Sequence, residues 1–289
     1  MKRHVTLRWF AALCVATIIA IVNWGSSPLT PTALAARVED EVRSCSVSRL
    51  RGAYVIGING FQTSPQAVPQ FTLSAYSPAS VLGKFVFDGE GNVSRSLTVS
   101  VAGESPNSVA DMGSYQVNPD CSGSATFPTN SETFGFNLVD LRSIAIVTMT
   151  PGEAGAGTLT KQEIRNCSPE SLQGVYVNSV INGFGTILNP PQQIDGFFPV
   201  NVAGSWTFDG QGKVSRSLSL NFAGAPGPYL DSGRYQVNSD CSASTFFPND
   251  NEPIQLILID SRKTVIAPVS FEGIGRVGTG TLVKQSLTE

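Results

Sequence analysis

The chain has 289 residues, of which 41% are hydrophobic and 14% charged, and this balance is typical of one or two compact domains rather than a disordered chain. Its 28 glycines and 18 prolines favour many short strands joined by turns over long helices. The formal net charge of −3 and the lack of a basic block argue against a nucleic-acid-binding protein.

Residues 1–35 have the pattern of a secretory signal peptide. Three basic residues precede an apolar run over positions 9–24, and an Ala-Leu-Ala sequence ends at Ala35. We expect cleavage after Ala35. The alternative is an uncleaved membrane anchor, because about 16 apolar residues approach the roughly 17–25 of a membrane helix. Residues 36–44 then form a charged lead-in. The sequence predicts a secreted, periplasmic or extracellular protein, or one anchored to a membrane at its N-terminus.

We expect the mature chain to have no catalytic residues, cofactor or metal site. The only histidine, His4, is lost with the signal peptide, which excludes His-dependent triads and His-based metal sites. No second long apolar segment follows, so no stable membrane span is expected after cleavage. Several aspartates recur in both halves, and we interpret each as a turn-forming or capping residue. They are Asp88, Asp111, Asp120 and Asp140, with the counterparts Asp209, Asp231, Asp240 and Asp260.

The chain is a tandem repeat built around an Asp-Gly turn. Residues 87–97 recur as residues 208–218 with nine of eleven positions unchanged, and other matched blocks keep offsets of 120–123 residues. Such a period is that of a whole domain rather than of a solenoid unit. We therefore predict a first repeat over residues 45–162, a linker over 163–166 and a second repeat over 167–286.

Each repeat is predicted to be all-β. Turn residues divide the first repeat into eight short strands, which suggests an antiparallel meander. Closing the meander into a barrel would remove its exposed edges, so we predict two tandem eight-stranded barrels, with two-sheet β-sandwiches as the alternative. The predicted strands of the first repeat cover residues 51–59, 83–88, 92–102, 113–118, 122–128, 133–140, 143–150 and 156–162.

Four cysteines remain after signal cleavage, an even number that favours disulfides in an exported protein. Pairing Cys45 with Cys121 and Cys167 with Cys241 places one bridge in each repeat. Pairing like with like, Cys45 with Cys167 and Cys121 with Cys241, also respects the repeat but would staple the two domains together. We favour one bridge per repeat, each worth roughly 4 kcal/mol in the loop-entropy model.

The strand after the Asp-Gly turn shows which residues face the core. Its apolar residues share one face. Its Ser and Thr residues share the other, which we expect to face solvent, the alternative being an inward row that binds a polar ligand. Arg95 and Arg216 fall on the apolar face, and we predict that they snorkel to water at the barrel rim. The first alternative is a structural interior cluster of arginine and tyrosine side chains, and the second is that this cluster binds a ligand. Its members would be Arg95, Tyr54 and Tyr115, with Arg216, Tyr176 and Tyr235.

The segment between the first and second strands is the other candidate ligand site. It spans residues 61–82 in the first repeat and 184–203 in the second, and the repeats diverge most here. Loops longer than about 12–15 residues are often lids or binding loops, although a lid that only plugs one barrel end explains them equally well. The aromatic candidates are Phe71, Tyr76, Phe197 and Phe198.

A Gly-x-Tyr motif opens the first strand of each repeat just after a cysteine, as Gly52-x-Tyr54 and Gly174-x-Tyr176. With the meander pattern, it resembles the small antiparallel barrels of the calycin type, namely lipocalins, avidins and the similar allene oxide cyclase barrel. Lipocalins carry Gly-x-Trp at this place, so the tyrosine is a departure. The resemblance covers both repeats, implies a calycin-like fold and transfers no functional residue.

The function that we expect is that of a secreted, non-catalytic binding or envelope-associated protein that takes a small apolar ligand at a barrel mouth. Its partner would be that small molecule or an envelope component. One alternative is a purely structural surface module with filled barrels. The other is an isomerase or cyclase that works by shaping an apolar cavity, as the resemblance to allene oxide cyclase implies.

Overall fold

The structure of the protein is a computed structural model that describes most of the chain from Cys45 onwards. The predicted signal peptide and charged lead-in lie outside the described residues. The described ranges are 45–63, 76–101, 106–189, 193–222, 224–250, 252–267 and 274–286. For some of them only the backbone is described, namely Thr63, Tyr76, 179–189, 193–199, Phe222, 265–267 and 274–277.

The first barrel is a closed antiparallel meander, in which each strand pairs with the next and β8 pairs back with β1. All eight predicted strands of this repeat are present, so the barrel is confirmed over the alternative sandwich. The strands are β1 (Arg51–Thr63), β2 (Tyr76–Asp88), β3 (Asn92–Val101), β4 (Asn107–Val117), β5 (Ser122–Phe127), β6 (Glu132–Leu138), β7 (Ser143–Thr148) and β8 (Glu153–Lys161).

The second barrel repeats this topology, and its last strand, β16, closes the ring against β9. Among the described residues of both barrels, no helix is long and apolar enough to cross a membrane. The strands are β9 (Gly174–Asn189), β10 (Gln193–Phe208), β11 (Lys213–Phe222), β12 (Ala225–Val237), β13 (Ser242–Phe246), β14 (Ile254–Leu258), β15 (Lys263–Ala267) and β16 (Ile274–Lys284).

The repeated Asp-Gly motif forms the β2–β3 hairpin turn. Gly89 and Gly91 have φ angles of 83° and 106°, in the left-handed region that favours glycine. The Asp88 carboxylate accepts the backbone N–H groups of Glu90 and Asn92 at 2.6 and 3.0 Å, which fixes the turn. The second barrel has the same arrangement at Asp209. These aspartates are turn-forming residues, as predicted.

A short 3-10 helix plugs the end of each barrel that carries this turn, which we call the closed end. In the first barrel the helix is Val47–Arg49, and the following Leu50 is 1% exposed. The Tyr115 hydroxyl accepts the Gly89 N–H at 3.1 Å and lies 2.9 Å from the Leu50 carbonyl oxygen, to which it donates. The Cys45–Cys121 disulfide ties the plug to the barrel. In the second barrel, Pro169–Leu172 and the Cys167–Cys241 disulfide do the same.

Aromatic rings fill each barrel next to its closed end. In the first barrel the Phe87 ring lies 5.6 Å from Tyr54 and 4.9 Å from Tyr115, both edge to face. Phe85 contacts Phe127 in the same way at 5.9 Å. Such edge-to-face pairs add roughly 0.5–1.5 kcal/mol each beyond the area that they bury. This part of the interior is therefore a packed core rather than a ligand cavity.

The two barrels contact each other through different faces. Val55 and Leu82 on the outer face of β1 and β2 form a buried cluster with Ile257 and Ile259 of the second barrel. At the edge of this cluster the Lys84 ammonium lies 2.9 Å from the Asp240 carboxylate. The contact is therefore apolar in its centre and charged at its rim.

Candidate functional site at the mouth of the first barrel

Arg95 is the most unusual side chain of the first barrel, because it is a cation in the interior. Its side chain is 0% exposed. The guanidinium donates two hydrogen bonds to the Asp111 carboxylate, at 2.6 and 3.0 Å, and a third to Glu132. Its Cζ atom also lies 3.9 Å from the centre of the Phe127 ring. Burial alone would lower the pKa of Arg95, but the hydrogen bonds that it donates to Asp111 and Glu132 outweigh burial and raise the pKa. The side chain stays charged.

Arg216 occupies the same position in the second barrel. It donates to both carboxylate oxygens of Asp231, at 2.6 and 2.8 Å, and its Nη1 atom lies 2.9 Å from Asp250. The Phe247 ring lies 3.7 Å from its Cζ atom. Asp250 is not the counterpart of Glu132, because it corresponds to Asn130 in the repeat. The first barrel therefore supplies the second carboxylate from the start of β6, and the second barrel supplies it from the turn before β14.

The prediction that Arg95 and Arg216 snorkel to the rim is wrong. Both are buried, since two carboxylates and an aromatic ring replace their hydration. The interpretation of Asp111 and Asp231 as turn residues is also wrong. Both lie inside strands, directly opposite an arginine in the register. Asp120 and Asp140, in contrast, accept the backbone N–H groups of nearby residues in turns, as predicted.

The tyrosines do not join the arginines. Tyr115 follows Asp111 by four residues along β4, or about 13 Å, and its hydroxyl bonds with the plug at the closed end. The Tyr54 hydroxyl donates to the Leu141 carbonyl oxygen at 3.1 Å. Tyr235 likewise donates to Pro169 at 2.9 Å, and Tyr176 packs edge to face on Phe208. The four tyrosines thus belong to the packed closed ends.

Above the arginine, the first barrel contains a cavity of about 280 Å³ that opens at the end opposite the plug, which we call the mouth. Glu132 and Phe134 form the part of its wall that borders the Arg95 cluster. Near the opening the cavity meets the carboxylate of Glu153. Its other apolar walls include Ile58, Val81, Leu97, Val99 and Val109.

Glu153 lines this cavity and is a titratable group with a shifted pKa. Partial burial raises the pKa of Glu153 above its ordinary value, and the negative charge of Glu132 raises it further, while Arg95 acts in the opposite direction. Its carboxylate makes no hydrogen bond with another side chain among the described residues. It is therefore available to a ligand group that donates a hydrogen bond.

Of the four aromatic candidates between the first and second strands of the repeats, the structure describes only the backbone of three. Phe71 lies outside the described residues. Tyr76 begins β2 at the mouth of the first barrel, paired with Thr63, and Phe197 and Phe198 lie in β10, but their side chains are not described. The residues that sequence reasoning missed are Glu132 and Glu153. Neither belongs to a motif, and only the closure of the barrel brings their two strands to one opening.

Comparisons with known proteins add little to this description. No family model and no curated protein matches the chain. Among solved structures, a protein of unknown function of the DUF3598 family from Nostoc punctiforme aligns with 13% identity over 81% of this chain and 95% of its own, at a TM-score of 0.22. A porin-like protein from Bacteroides uniformis aligns with 6% identity over 79% of this chain and 96% of its own, at a TM-score of 0.17. By its own topology and disulfides, the chain is a tandem antiparallel β-barrel protein with one disulfide per barrel.

Proposed function

We propose that the protein binds a small, mainly apolar molecule in the mouth of its first barrel. The single observation that carries this proposal is the cavity of about 280 Å³ above the Arg95 cluster. Ligand pockets usually measure about 300–1,000 Å³ and combine apolar walls with a few polar groups. This cavity has such walls and lies just below that range, so it suits a small ligand. The Arg95 cluster supports it, because the hydrogen bond from Arg95 holds the neighbouring Glu132 in place.

The ligand should carry one hydrogen-bond donor. Glu132 already accepts from Arg95, whereas Glu153 has an unused carboxylate at the opening. A ligand N–H or O–H group facing Glu153 would give the carboxylate the hydrogen bond that it lacks. A carboxylate or phosphate ligand is disfavoured, because it would face two acidic side chains.

The compartment that fits this role is the cell envelope or the extracellular space. The two disulfides indicate folding in an oxidising, non-cytoplasmic compartment. Export by the predicted signal peptide, with release or N-terminal anchoring, is part of the proposal. A purely structural module is the second candidate, since aromatic rings fill the rest of the first barrel.

The test uses N-phenyl-1-naphthylamine, an apolar fluorophore with one N–H donor. We expect its fluorescence to rise when it binds the disulfide-bonded protein. A Val99→Phe substitution fills the cavity and should weaken binding at least about tenfold, or roughly 1.4 kcal/mol. Met112→Phe on the exposed outer face of β4 is the matched control and should leave binding unchanged. Equal binding by the Val99→Phe variant would place the probe elsewhere and favour the structural module.

A further inference from the structure

The outer face of the second barrel carries a row of two cations and an aromatic ring. In the strand register, Lys213 of β11 lies directly opposite Arg234 of β12, and Arg234 lies directly opposite Phe246 of β13. All three side chains are exposed, and Phe246 retains 40% of its surface. With neighbouring strands about 4.8 Å apart, the row is about 10 Å long. We call Lys213, Arg234 and Phe246 the cationic row.

The row is unfavourable for the barrel itself. Like charges directly opposite each other on an antiparallel pair repel and destabilise it. Neither cation forms an ion pair with a carboxylate of the described part of the chain. Asp209 is the nearby acidic group, and its Oδ1 atom already accepts the backbone N–H groups of Gln211 and Lys213. The two cations are therefore free to meet an external anion.

The first barrel shows that the fold does not require these side chains. At the corresponding positions it carries Asn92, Ser114 and Thr126, in the same strand register. At these three positions the second barrel therefore carries two positive charges and one ring that the first barrel lacks. A change confined to the exposed side chains of one repeat points to recognition rather than to folding.

The surface around the row is open and rich in hydroxyl groups. Depressions of about 440 and 430 Å³ flank Arg234 and Phe246, and a third of about 310 Å³ continues the surface beyond Ser232. This confirms that the Ser and Thr row of the second repeat faces outward. The hydroxyl-bearing residues of the third depression are Ser205, Thr207, Ser215, Ser217 and Ser232.

We propose that this surface binds an acidic glycan, a sugar chain that carries carboxylate groups. The cations match the carboxylates, the exposed ring of Phe246 suits the apolar face of a sugar ring, and the hydroxyl row supplies donors and acceptors for sugar hydroxyls. A membrane surface is the less suitable occupant, because Leu230 and Phe246 are the large exposed apolar side chains there and polar side chains surround them. The acidic net charge of the chain favours a sparsely charged glycan over a densely charged polymer.

The experiment measures binding of an octasaccharide of alternating glucuronic acid and N-acetylglucosamine by calorimetry at low salt. Its carboxyl-reduced, neutral form is the probe control. The test variant, Lys213→Asn/Arg234→Ser/Phe246→Thr, carries the residues of the first barrel and should therefore fold. The charge-matched control, Arg165→Ser/Arg262→Ser, removes two exposed cations elsewhere.

We expect the acidic octasaccharide to bind the wild-type protein and the charge-matched control equally. The test variant should bind it at least about tenfold more weakly, and the neutral octasaccharide should bind the wild type as weakly. Because the comparison of the two probes uses only the wild-type protein, it does not depend on the folding of a variant. No binding of the acidic probe, or equal binding by the test variant, would overturn the proposal. The proposal would also be overturned if the octasaccharide does not bind while anionic phosphatidylserine vesicles bind the wild type and not the test variant.

Discussion

At the level of single residues, the two buried arginines combine a large desolvation cost with strong interactions that offset it. Desolvating a guanidinium costs several kcal/mol, and it is tolerated here because Asp111 holds Arg95 through two hydrogen bonds while Glu132 and Phe127 cover the remaining faces. The second barrel reaches the same balance with Asp231 and Asp250. Because the second carboxylate comes from a different position of the repeat in each barrel, the requirement is a local countercharge and not a particular residue.

Replacing Arg95 with Met should lower the free energy of unfolding by about 3–5 kcal/mol, because it leaves the Asp111 carboxylate buried without a cation. The double variant Arg95→Met/Asp111→Leu removes the two most buried charges and leaves the more exposed Glu132, so it should recover most of that loss. Urea unfolding of the disulfide-bonded protein measures both. A cost below about 1 kcal/mol for the single variant would show that the cluster contributes little net stability.

Tyr176 should make the stability of the second barrel sensitive to alkaline pH. Burial raises the pKa of Tyr176 from 10.0 to about 12, with the charge of Asp260 adding to the effect. The native state therefore holds the phenolic proton more tightly, so the stabilisation is complete below pH 10 and is lost as the pH rises towards 12. Urea unfolding at several pH values should show this loss, on the order of 2–3 kcal/mol. The Tyr176→Phe variant should lack this loss. If the free energy of unfolding changed equally with pH in both proteins, Tyr176 would not be its source.

At the level of secondary structure, the turns were the most predictable feature. Asp-Gly and paired glycines determine a tight hairpin locally, so the β2–β3 turn and its repeat could be located without the fold. The start of β2 was missed by several residues because 76–82 holds Pro and Ser residues, and its strand conformation depends on pairing with β1.

The candidate site was less predictable than the strands. Alternation placed Arg95 on the core face, but its partners Asp111 and Glu132 come from β4 and β6, and only the closed barrel brings them together. The 3-10 plugs were also missed, since three or four residues hold no periodic pattern. The calycin-like family, the signal peptide and the domain limits stay predictions.

Each disulfide should stabilise its own barrel to a similar degree. The bridges join residues separated by 76 and 74 positions, so the loop-entropy model gives each about 4 kcal/mol. We expect Cys45→Ala/Cys121→Ala and Cys167→Ala/Cys241→Ala to lower the free energy of unfolding of their own barrels by comparable amounts in urea. A much larger loss for one pair would mean that its bridge mainly holds the 3-10 plug in place.

At the level of the whole molecule, the contact between the barrels joins two different faces of one repeated fold. Such a contact can propagate into a longer array when the matching faces stay free. Here the free faces differ from the joined ones. The counterparts of Leu82 and Lys84 are Ala203 and Ser205, and the counterpart of Ile257 is Asn137. The other two cluster residues, Val55 and Ile259, have the apolar counterparts Val177 and Val139, so the free faces retain two of the four apolar residues of the joined contact.

Exchanging the contact residues for those of the free face should uncouple the barrels. In Leu82→Ala/Lys84→Ser, the lost packing against Ile257 and Ile259 should cost about 2–5 kcal/mol, and the lost pair with the half-exposed Asp240 at most about 1 kcal/mol. Calorimetry should then show two thermal transitions where the wild type shows one, while Val177→Ala on the free face changes nothing.

The contribution of the Lys84–Asp240 ion pair to the coupling of the barrels should depend on pH. Burial works against ionisation of Asp240, but hydrogen bonds from Ser242 and Lys84 lower the pKa of its carboxyl from 3.8 to about 2. The contribution of the pair is thus present above pH 3.8 and lost as the pH falls through about 2. The single variant Lys84→Ser should therefore differ from the wild type at neutral pH and converge with it near pH 2. A difference that persists at that pH would assign the coupling to the stem of Lys84 or to the hydrogen bond that its ammonium donates to the Asp240 carbonyl oxygen.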